Sequence, residues 1–509
     1  MKVFLVYVRD DDYYHPLPES LGGGKSTGNY KVMAYPPLGI QTLTPILRQH
    51  GHEVILWDTC HPEMKEQHIS LASKEQNPDV IGISFLSTTS YLRMKNVVRY
   101  LKSENPDIPV IIGGPFATIN SVNILEDCPY VDFVGRGEAE ELFPEFLDNR
   151  NNPEAVNGLT WRSNGKVIKN PDRPLLLDLD RFPYPDRSSL PIDYIESIPL
   201  DMPAVLSLDK FCTVQTSRGC PYHCIYCDIP SLGGGKWRTR SPEYVLGEMQ
   251  ELHDQGYRSI YLTDDHFLQK RKRIQAICEG IIYRGFAFQW GCEGRVDSVA
   301  IEEFPLLKKA NCKLLAFGVE AGTEKILKRL KKHQTLEQVE NAIGEAKKCG
   351  IKTIHGFFLV GNPDETVDDI LESFRFAARL KIDTYGFNRL CVYRGTPLWQ
   401  EYIERGIIED DKDWYKWFKC SDIDPSILPS EVVNETRKKG YILLLKYRML
   451  HRPLATLGLV RHFMLYMKFS DVLKLIRSPF RKKDFTRKPD LPEKMIEQGL
   501  DAPVRIASV

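Results

Sequence analysis

The chain has 509 residues, of which 42% are hydrophobic, and its 68 acidic side chains balance its 68 basic ones. This length predicts about three domains with full-sized cores, and the balanced charge argues against nucleic acid as a partner. No segment reaches the roughly 18 to 20 consecutive apolar residues of a membrane-spanning helix. The twelve cysteines form no disulfide framework, and the first residues show no signal-peptide pattern, so we expect a reducing, cytoplasmic location.

The first 150 residues alternate short apolar runs with amphipathic helical patterns. Continuous apolar runs separated in this way are typical of a parallel sheet that helices cover on both faces. We therefore predict an α/β fold that begins with a Rossmann or flavodoxin-like domain over residues 1–150, whose ligand would lie at the carboxyl ends of the strands. The predicted strands are residues 2–8, 53–57, 80–85, 110–113 and 131–135.

Short patterns at the ends of these predicted strands suggest which ligand binds there. Ser-x-Leu closes the third strand, Gly-Gly closes the fourth, and Gly-Arg-Gly-Glu comes after the fifth. The first two patterns resemble those of cobalamin-binding domains, in which the hydroxyl can bond the buried nucleotide tail and the glycines let the tail lie against backbone. The resemblance implies cobalamin as a cofactor. The candidate cofactor-binding residues of this domain are Ser84, Leu86, Gly113, Gly114, Gly137 and Glu138.

One element of cobalamin-binding domains is missing. Their Asp-x-His-x-x-Gly motif, whose histidine ligates cobalt from below, does not follow the first strand, where three aspartates stand at 10–12. The lower cobalt ligand stays open, and so does the alternative that the sheet has kept its fold and lost the cofactor. Residues 22–27 look like a phosphate-binding loop, but Glu19 stands where that motif requires glycine, so we expect a flexible loop.

The segment 151–204 differs in composition from the regions on either side. Its proline density rises and its helical periodicity is weak. These features predict an extended linker between two domains.

Cys220, Cys224 and Cys227 form a Cys-x3-Cys-x2-Cys triplet just after a strand-like stretch. Zinc sites use four ligands, in paired cysteine units or with added histidines, and the nearest further cysteine, Cys212, lies in the preceding predicted strand. Three thiolates suit a [4Fe–4S] cluster with one iron left open for a ligand that is not protein. We therefore predict that the triplet is both the metal site and the catalytic centre.

With Tyr226 directly before its last cysteine, the triplet resembles the hallmark of the radical S-adenosylmethionine enzymes. In that family S-adenosylmethionine binds the open iron, and one electron cleaves it to a 5′-deoxyadenosyl radical that abstracts hydrogen from an unactivated carbon. The resemblance implies S-adenosylmethionine as a cofactor, Tyr226 as a contact to it, and an external electron donor such as a flavodoxin or ferredoxin. Members that bind cobalamin commonly lack the cobalt-ligating histidine and carry the Gly-x-Gly-Glu form, as this chain does.

From residue 205 to 420, apolar strands recur at the intervals of a (β/α) barrel and end in polar residues. We predict a partial, TIM-like (β/α)6 barrel of the radical S-adenosylmethionine type, with its active groups at the strand ends. By resemblance, Glu320 would bind the ribose of S-adenosylmethionine, Arg295 its carboxylate, and Gly361 would let backbone approach the adenine. Asp264 is a further candidate contact, although an acid at a strand end often caps a helix.

Residues 421–509 are predicted to form a helical, basic C-terminal region. The stretches 441–448 and 454–467 interleave long apolar side chains with lysines and arginines. A basic amphipathic helix can lie on an anionic membrane surface, but the same pattern suits a helix that packs on the barrel with its charges in water. We favour packing and keep peripheral contact with the inner face of the membrane as the alternative.

Together these features predict a cobalamin-dependent radical S-adenosylmethionine methyltransferase that acts on an unactivated carbon of a small-molecule or lipid-like substrate. A cyclase resembling the anaerobic ring cyclase of chlorophyll synthesis is an alternative with the same architecture. A methylthiotransferase would need three further cluster cysteines near the N-terminus, where only Cys60 and Cys128 lie. From another class, a non-catalytic cofactor-binding module stays open.

Overall fold

The structure, a computed structural model, describes residues 1–9, 15–16, 24–26, 29–195, 210–298, 301–415, 428–453 and 456. The strands are β1 (Lys2–Tyr7), β2 (His15–Pro16), β3 (Gly24–Ser26), β4 (Asn29–Met33), β5 (Glu53–Asp58), β6 (Val80–Ser84), β7 (Val110–Gly113), β8 (Phe133–Gly135), β9 (Leu159–Ser163), β10 (Lys166–Lys169), β11 (Ile192–Ile195), β12 (Phe211–Val214), β13 (Ser217–Arg218), β14 (Arg238–Thr239), β15 (Ser259–Leu262), β16 (Gln289–Gly294), β17 (Cys312–Glu320), β18 (Thr353–Val360) and β19 (Thr384–Arg389).

The α-helices begin and end at the following residues: α1 (Leu38–Gln49), α2 (Ile69–Gln76), α3 (Thr88–Glu104), α4 (Pro115–Ile119), α5 (Ser121–Asp127), α6 (Ala139–Asp148), α7 (Ile229–Gly233), α8 (Pro242–Asp254), α9 (Arg271–Tyr283), α10 (Phe304–Lys309), α11 (Glu324–Arg329), α12 (Leu336–Lys348), α13 (Val367–Arg379), α14 (Pro397–Glu404), α15 (Asp410–Asp413) and α16 (Ser430–His451).

The N-terminal sheet has the strand order β10-β9-β8-β7-β6-β1-β5. Its members β5, β1, β6, β7 and β8 run parallel, and among themselves they follow the 2-1-3-4-5 order of flavodoxin-like sheets. Successive side chains of a strand point to opposite faces, so Val3 and Leu5 enter one hydrophobic core while Phe4 and Val6 enter another. The predicted fold class of this region is confirmed, and the topological switch point lies between β1 and β6.

A hairpin of β9 and β10 extends this sheet beyond β8. The predicted linker is therefore not extended throughout, because its first part pairs with the N-terminal sheet. The hairpin turns at Asn164 and Gly165, whose φ angles of 48° and 76° are the positive values that a two-residue turn requires. The Asn-Gly pair is a sequence signal for a two-residue hairpin turn. The prediction of a linker from proline density did not use this signal and missed the hairpin.

The long connection between β1 and α1 also contains regular structure. Its strands β2, β3 and β4 pair with one another around β4, and β11 joins β4 in parallel. Strand β3 includes part of the segment predicted as a flexible loop. The rest of that segment, 22–23 and 27, lies outside the described residues, as do the aspartates at 10–12.

The second large sheet consists of β12, β15, β16, β17, β18 and β19, in chain order and all parallel. Within the described ranges β12 and β19 do not pair with each other, so the sheet is an open barrel. Ile260, Leu315 and Ile354 pack against the surrounding helices, whereas the alternate positions face the interior. The predicted partial (β/α)6 barrel is confirmed.

The N-terminal region and the barrel share a continuous core. The Tyr35 ring, from the residues after β4, contacts the rings of Phe211 and Tyr261 inside the barrel, at 5.7 and 6.0 Å between centroids. Arg187, from the connecting segment, forms a buried ion pair of 2.6 Å with Glu248 of α8. Residues from Met1 to Tyr466 accordingly form one compact unit, and the boundaries predicted at 150, 204 and 420 stay predictions.

The described part of the C-terminal region is mainly α16, which packs on α13. The Tyr441 and Phe374 rings lie 5.3 Å apart, and a Cβ on Gly440 would come within 2.2 Å of the Phe374 ring, so the two helices are in close contact. Residues 457–509, which hold most of the predicted basic tail, lie outside the described residues. None of the helices in the described ranges is long and apolar enough to cross a bilayer.

Gly114 should be far less tolerant of alanine than Gly51, although both have a positive φ. Gly114 has φ 110° and ψ 173°, a conformation that only glycine adopts readily, and an added Cβ would lie 2.3 Å from the Phe85 carbonyl oxygen. Gly51 has φ 79° with no atom within 4 Å of such a Cβ. We expect Gly51→Ala to cost about 1 kcal/mol of stability and Gly114→Ala at least about 3 kcal/mol, measured by thermal unfolding. Equal losses would contradict the close backbone contact.

Candidate active site

The cysteine triplet lies on a loop that is closed at its base by a short ribbon. In this ribbon Ser217 and Arg218 of β13 pair antiparallel with Thr239 and Arg238 of β14. Gly219 follows β13 with φ 82°, and a Cβ there would lie 2.1 Å from the Lys236 carbonyl oxygen. Only glycine allows this close approach, so residues 219–237 leave and re-enter the ribbon as one closed loop.

Two aspartates at the end of β15 hold the strand that leads into this loop. Asp264 is buried and accepts hydrogen bonds from Thr216 N at 2.6 Å and Ser217 Oγ at 2.5 Å. Asp265 accepts one from Gly219 N at 2.7 Å. Burial raises the pKa of both carboxyl groups, although these donors oppose it. In the structure Asp264 holds the backbone that leads into the cysteine loop. The predicted contact of Asp264 with a cofactor stays a prediction.

The three thiols of the loop suit an iron–sulfur cluster. Cys224 is buried, whereas Cys220 and Cys227 are partly exposed. Burial raises the pKa of Cys220 and raises that of Cys227 to about 12, because each thiolate would lose contact with water. No three potential ligands among the described residues converge on one metal ion. A four-iron cube does not require such convergence, since each thiolate binds a different iron.

Arg295 lies beside the triplet, but its fork is already occupied. Its Nε and Nη2 atoms each donate to an Asp297 carboxylate oxygen at 2.8 Å, and its guanidinium carbon lies 3.8 Å from the centre of the Tyr222 ring. The remaining Nη1 lies 3.8 Å from Cys224 Sγ. The structure thus places Arg295 next to a predicted cluster ligand, and its binding of the S-adenosylmethionine carboxylate stays a prediction.

Glu320 forms a buried ion pair that the sequence does not reveal. It lies where the register between β17 and β18 shifts, with φ 69°, and strained non-glycine residues of this kind cluster at functional sites. Lys332 Nζ donates to Glu320 Oε1 at 2.7 Å and lies 3.5 Å from the Tyr226 hydroxyl. Burial lowers the pKa of Lys332, but the Glu320 carboxylate outweighs it and keeps the ammonium charged. In the sequence Lys332 is only one of several lysines in a charged run.

Gly361 begins a tight loop after β18 that is organised by Glu365. Gly361 N and Asn362 N donate to Glu365 Oε2 at 2.7 and 2.9 Å, and Asn362 Nδ2 donates to Oε1 at 3.0 Å. Gly361 has φ 78°, and a Cβ there would lie 3.5 Å from Val433 of α16. The expected approach of this backbone to adenine stays a prediction. Sequence reasoning missed Glu365, which only the folded loop brings back to Gly361.

The candidate cobalamin residues lie at the carboxyl edge of the N-terminal sheet. Ser84 ends β6 beside the switch point and is partly exposed, and Leu86 is 57% exposed. Gly113 ends β7 and Gly114 directly follows it, and no atom lies within 4 Å of a Cβ built on Gly137. A hydroxyl, an accessible apolar side chain and bare backbone along one edge fit a ligand that lies flat against the chain. Cofactor binding by these residues stays a prediction.

Glu138 differs from this group because both of its oxygens already bind protein. Arg218 Nη1 donates to Oε1 at 2.8 Å, and Arg238 Nη1 donates to Oε2 at 2.7 Å. Leu176 N also donates to Oε2, at 3.0 Å. The side chain predicted to contact cobalamin thus joins the N-terminal sheet to the base of the cysteine loop, and its contact with a cofactor stays a prediction.

Two protein-family models match the chain. The model of the radical SAM superfamily matches residues 214–377, and the model of the B12 binding domain matches residues 32–147. An uncharacterized methyltransferase of Pyrococcus horikoshii is 31% identical over 415 residues, which are 80% of this chain and 87% of that protein. The chain belongs to the cobalamin-binding radical S-adenosylmethionine enzymes. Membership of this family implies a [4Fe–4S] cluster, S-adenosylmethionine and cobalamin as cofactors.

The names of other proteins that are similar to this chain state different reactions. The anaerobic magnesium-protoporphyrin IX monomethyl ester cyclase of Rubrivivax gelatinosus is 28% identical and aligns with 76% of this chain and 69% of the cyclase. The methyltransferase TsrM from Kitasatospora setae, solved with cobalamin and a [4Fe–4S] cluster, superposes with a TM-score of 0.63 at 18% identity, covering 79% of this chain and 75% of TsrM. The similarity to TsrM confirms only the fold of this chain.

Replacing Cys220, Cys224 and Cys227 together by alanine should abolish cluster binding. The three thiolates are the expected anchors, so the anaerobically reconstituted variant should lose the roughly four irons per chain that the unaltered protein binds. Iron and sulfide analysis measures this. Cys349→Ala, which removes a partly exposed thiol at the end of α12, is the control and should leave the iron content unchanged. A triple variant that kept its iron would refute the site.

The stability of the protein should depend on pH through Glu365. Burial raises its pKa to about 7 from the ordinary 4.5, so the folded state holds this proton more tightly than the unfolded state. The contribution of Glu365 to the free energy of unfolding is therefore largest below about pH 4.5 and is lost as the pH rises towards 7.

We expect the thermal midpoint of the unaltered protein to fall, relative to that of Glu365→Gln, between pH 5 and pH 7.5. Glu340→Gln, at an exposed position of α12, should give a curve parallel to that of the unaltered protein. If the curve of Glu365→Gln is also parallel to that of the unaltered protein, the Glu365 carboxyl group does not titrate between about pH 5 and pH 7.5.

Proposed function

We propose that this enzyme transfers a methyl group to a carbon of a small-molecule substrate. The contact of Glu138, from the cobalamin-binding region, with Arg218, two residues before Cys220, carries this proposal. It joins the predicted cofactor edge of the N-terminal sheet to the base of the predicted cluster loop. A reaction that uses both cofactors on one carbon requires this proximity, since catalysis depends on how closely the reacting groups are held.

The cofactors would supply the reactive chemistry, and the chain would place them. When bound, the cluster supplies an electron from an external donor for cleavage of S-adenosylmethionine, and cobalamin supplies the methyl group. The loop would hold the cluster by Cys220, Cys224 and Cys227. The charged Arg295 guanidinium beside Cys224 would stabilise negative charge on the sulfur, which is one way in which proteins set the potential of a cluster.

We assign the polar groups of S-adenosylmethionine to the buried pair of Glu320 and Lys332. The carboxylate offers acceptors for ribose hydroxyls, and the ammonium offers a donor for the carboxylate of the ligand. Lys332 suits the latter role better than Arg295, because the Arg295 fork is bound to Asp297. Tyr226 lies within reach of Lys332 and would close this side of the site.

A row of side chains crosses the interior of the barrel. The strand register places Glu293, Ala316, His355 and Thr384 in one row across β16 to β19. Tyr261 donates to Glu293 at 2.7 Å, and His355 Nδ1 lies 2.8 Å from Thr384 Oγ1, so the polar groups of this row are held in place. Ala316, His355 and Thr384 are almost completely buried, so this row belongs to the packed interior of the barrel.

Three residues of β19, Tyr385, Asn388 and Arg389, are candidates for contact with the substrate, and Asn388 is the best candidate because it is exposed at the carboxyl end of the strand. Tyr385 is instead buried, with its hydroxyl donating to Ile382 O at 3.2 Å. The Arg389 side chain turns to α16, where its Nη2 donates to Ser430 Oγ at 2.9 Å. These contacts assign Tyr385 and Arg389 to packing.

Anaerobic incubation of the reconstituted enzyme with methyl-labelled S-adenosylmethionine and an extract of its own cells should give a labelled product. Label in the product supports methyl transfer, whereas a new product without label supports cyclisation, which the similarity to the Rubrivivax gelatinosus cyclase favours as the second candidate. Mass spectrometry of small molecules distinguishes the two. The variant without the three loop cysteines is the control and should give neither product. A cluster-loaded enzyme that forms no 5′-deoxyadenosine would indicate a binding module.

A further inference from the structure

The ribbon at the base of the cysteine loop carries two like charges side by side. Arg218 of β13 and Arg238 of β14 are directly paired in the antiparallel register. Both are largely buried, with side-chain exposures of 16% and 7%. Like charges opposite each other on neighbouring strands destabilise the pairing, and the penalty grows when water is excluded. The ribbon therefore needs negative charge from outside itself.

The N-terminal region supplies that charge. Glu138 lies between the two arginines and binds Arg218 through one oxygen and Arg238 through the other, at 2.8 and 2.7 Å. Glu140, in the first turn of α6, binds the second terminal nitrogen of Arg218. Gln215 accepts from Arg218 Nε at 2.8 Å. Two acids from one region thus neutralise two bases from the other.

Both ends of this ion cluster lie close to predicted cofactor positions. On one side, Glu138 directly follows Gly137 in the loop after β8, at the carboxyl edge of the N-terminal sheet. On the other, Arg218 precedes Gly219 and Cys220, and Gly219 N is held by Asp265. The ion pairs of Arg218 therefore link the predicted cobalamin-binding edge to a backbone position two residues before Cys220.

We propose that Glu138, Glu140, Arg218 and Arg238 form an interdomain clamp, which positions the cluster loop relative to the cobalamin-binding edge. They are positioning residues, because they act through the loop. The consequence for methyl transfer rests on the proposed function, since misplacing reacting groups by about 1 Å can cost roughly 100-fold in rate. The clamp itself is a property of the two domains and can be tested without any substrate.

A contact that merely stabilises the domain interface is the competing explanation. The chain offers a matched control for it, because Arg394, between β19 and α14, donates to Asn123 of α5 at another place between the same two regions. Arg394 also binds Asp410 at 2.8 Å, so Asn123→Ala leaves no unpaired arginine. The test variants are Glu138→Gln with Glu140→Gln, and the milder Arg218→Lys, whose single ammonium cannot bridge both acids.

Hydrogen exchange of the apoprotein gives the first measurement. We expect amides of residues 216–240 to exchange about tenfold faster in the double glutamine variant, somewhat faster in Arg218→Lys, and unchanged in Asn123→Ala. The second measurement is the EPR spectrum of protein loaded with reduced cluster and cob(II)alamin. Magnetic broadening between the two centres depends on their separation, so it should change in the clamp variants and not in Asn123→Ala.

Unchanged exchange and unchanged line shape in both clamp variants would overturn the proposal. An equal change in Asn123→Ala would also overturn it, because interface stability alone would then explain the effect. If the double glutamine variant fails to fold, Arg218→Lys provides the test, because it keeps the positive charge at this position. Neither measurement uses methyl transfer, so a failure of the proposed function leaves the result of this test interpretable.

Discussion

The loop that presents the three cysteines is closed at its base by the pairing of β13 with β14. Gly219 permits the closure because it has no Cβ to strike the Lys236 carbonyl group. Asp264 and Asp265 hold the entering strand from the barrel side, and Glu138 holds the ribbon from the N-terminal side. These contacts hold both sides of the loop that would bind the cluster through Cys220, Cys224 and Cys227.

Paired charge is the second feature of the site. Glu320 with Lys332 and Arg295 with Asp297 are ion pairs whose side chains are at most 11% exposed, next to the cysteine loop. Removing one member of such a pair leaves an uncompensated charge, which typically costs about 3 to 5 kcal/mol. The cost of taking both charges out of water offsets most of the attraction within such a pair, so an intact pair adds little to overall stability. In the proposed function, Glu320 and Lys332 would bind polar groups of S-adenosylmethionine.

The fold was largely predictable because its signals are local. The apolar runs of the parallel strands are continuous, and the structure confirms both α/β sheets over these runs. The hairpin of β9 and β10 was missed, because two short strands on one edge are only partly apolar, and its signal was the Asn164-Gly165 pair alone. Beyond α16 the sequence has an amphipathic pattern. A helix packed on the barrel and a helix on a membrane surface would both have this pattern, so the sequence alone does not distinguish them.

The sequence by itself determined the family and predicted the cluster ligands, because Cys220, Cys224 and Cys227 are close along the chain and one loop suffices to bring them together. Only the tertiary structure decided which charges pair. Lys332 reaches Glu320 from 12 residues further along the chain, and Glu138 reaches Arg218 across 80 residues. A charged residue shows no sign of its partner in the sequence, because pairing depends on which surfaces exclude water when the domains pack.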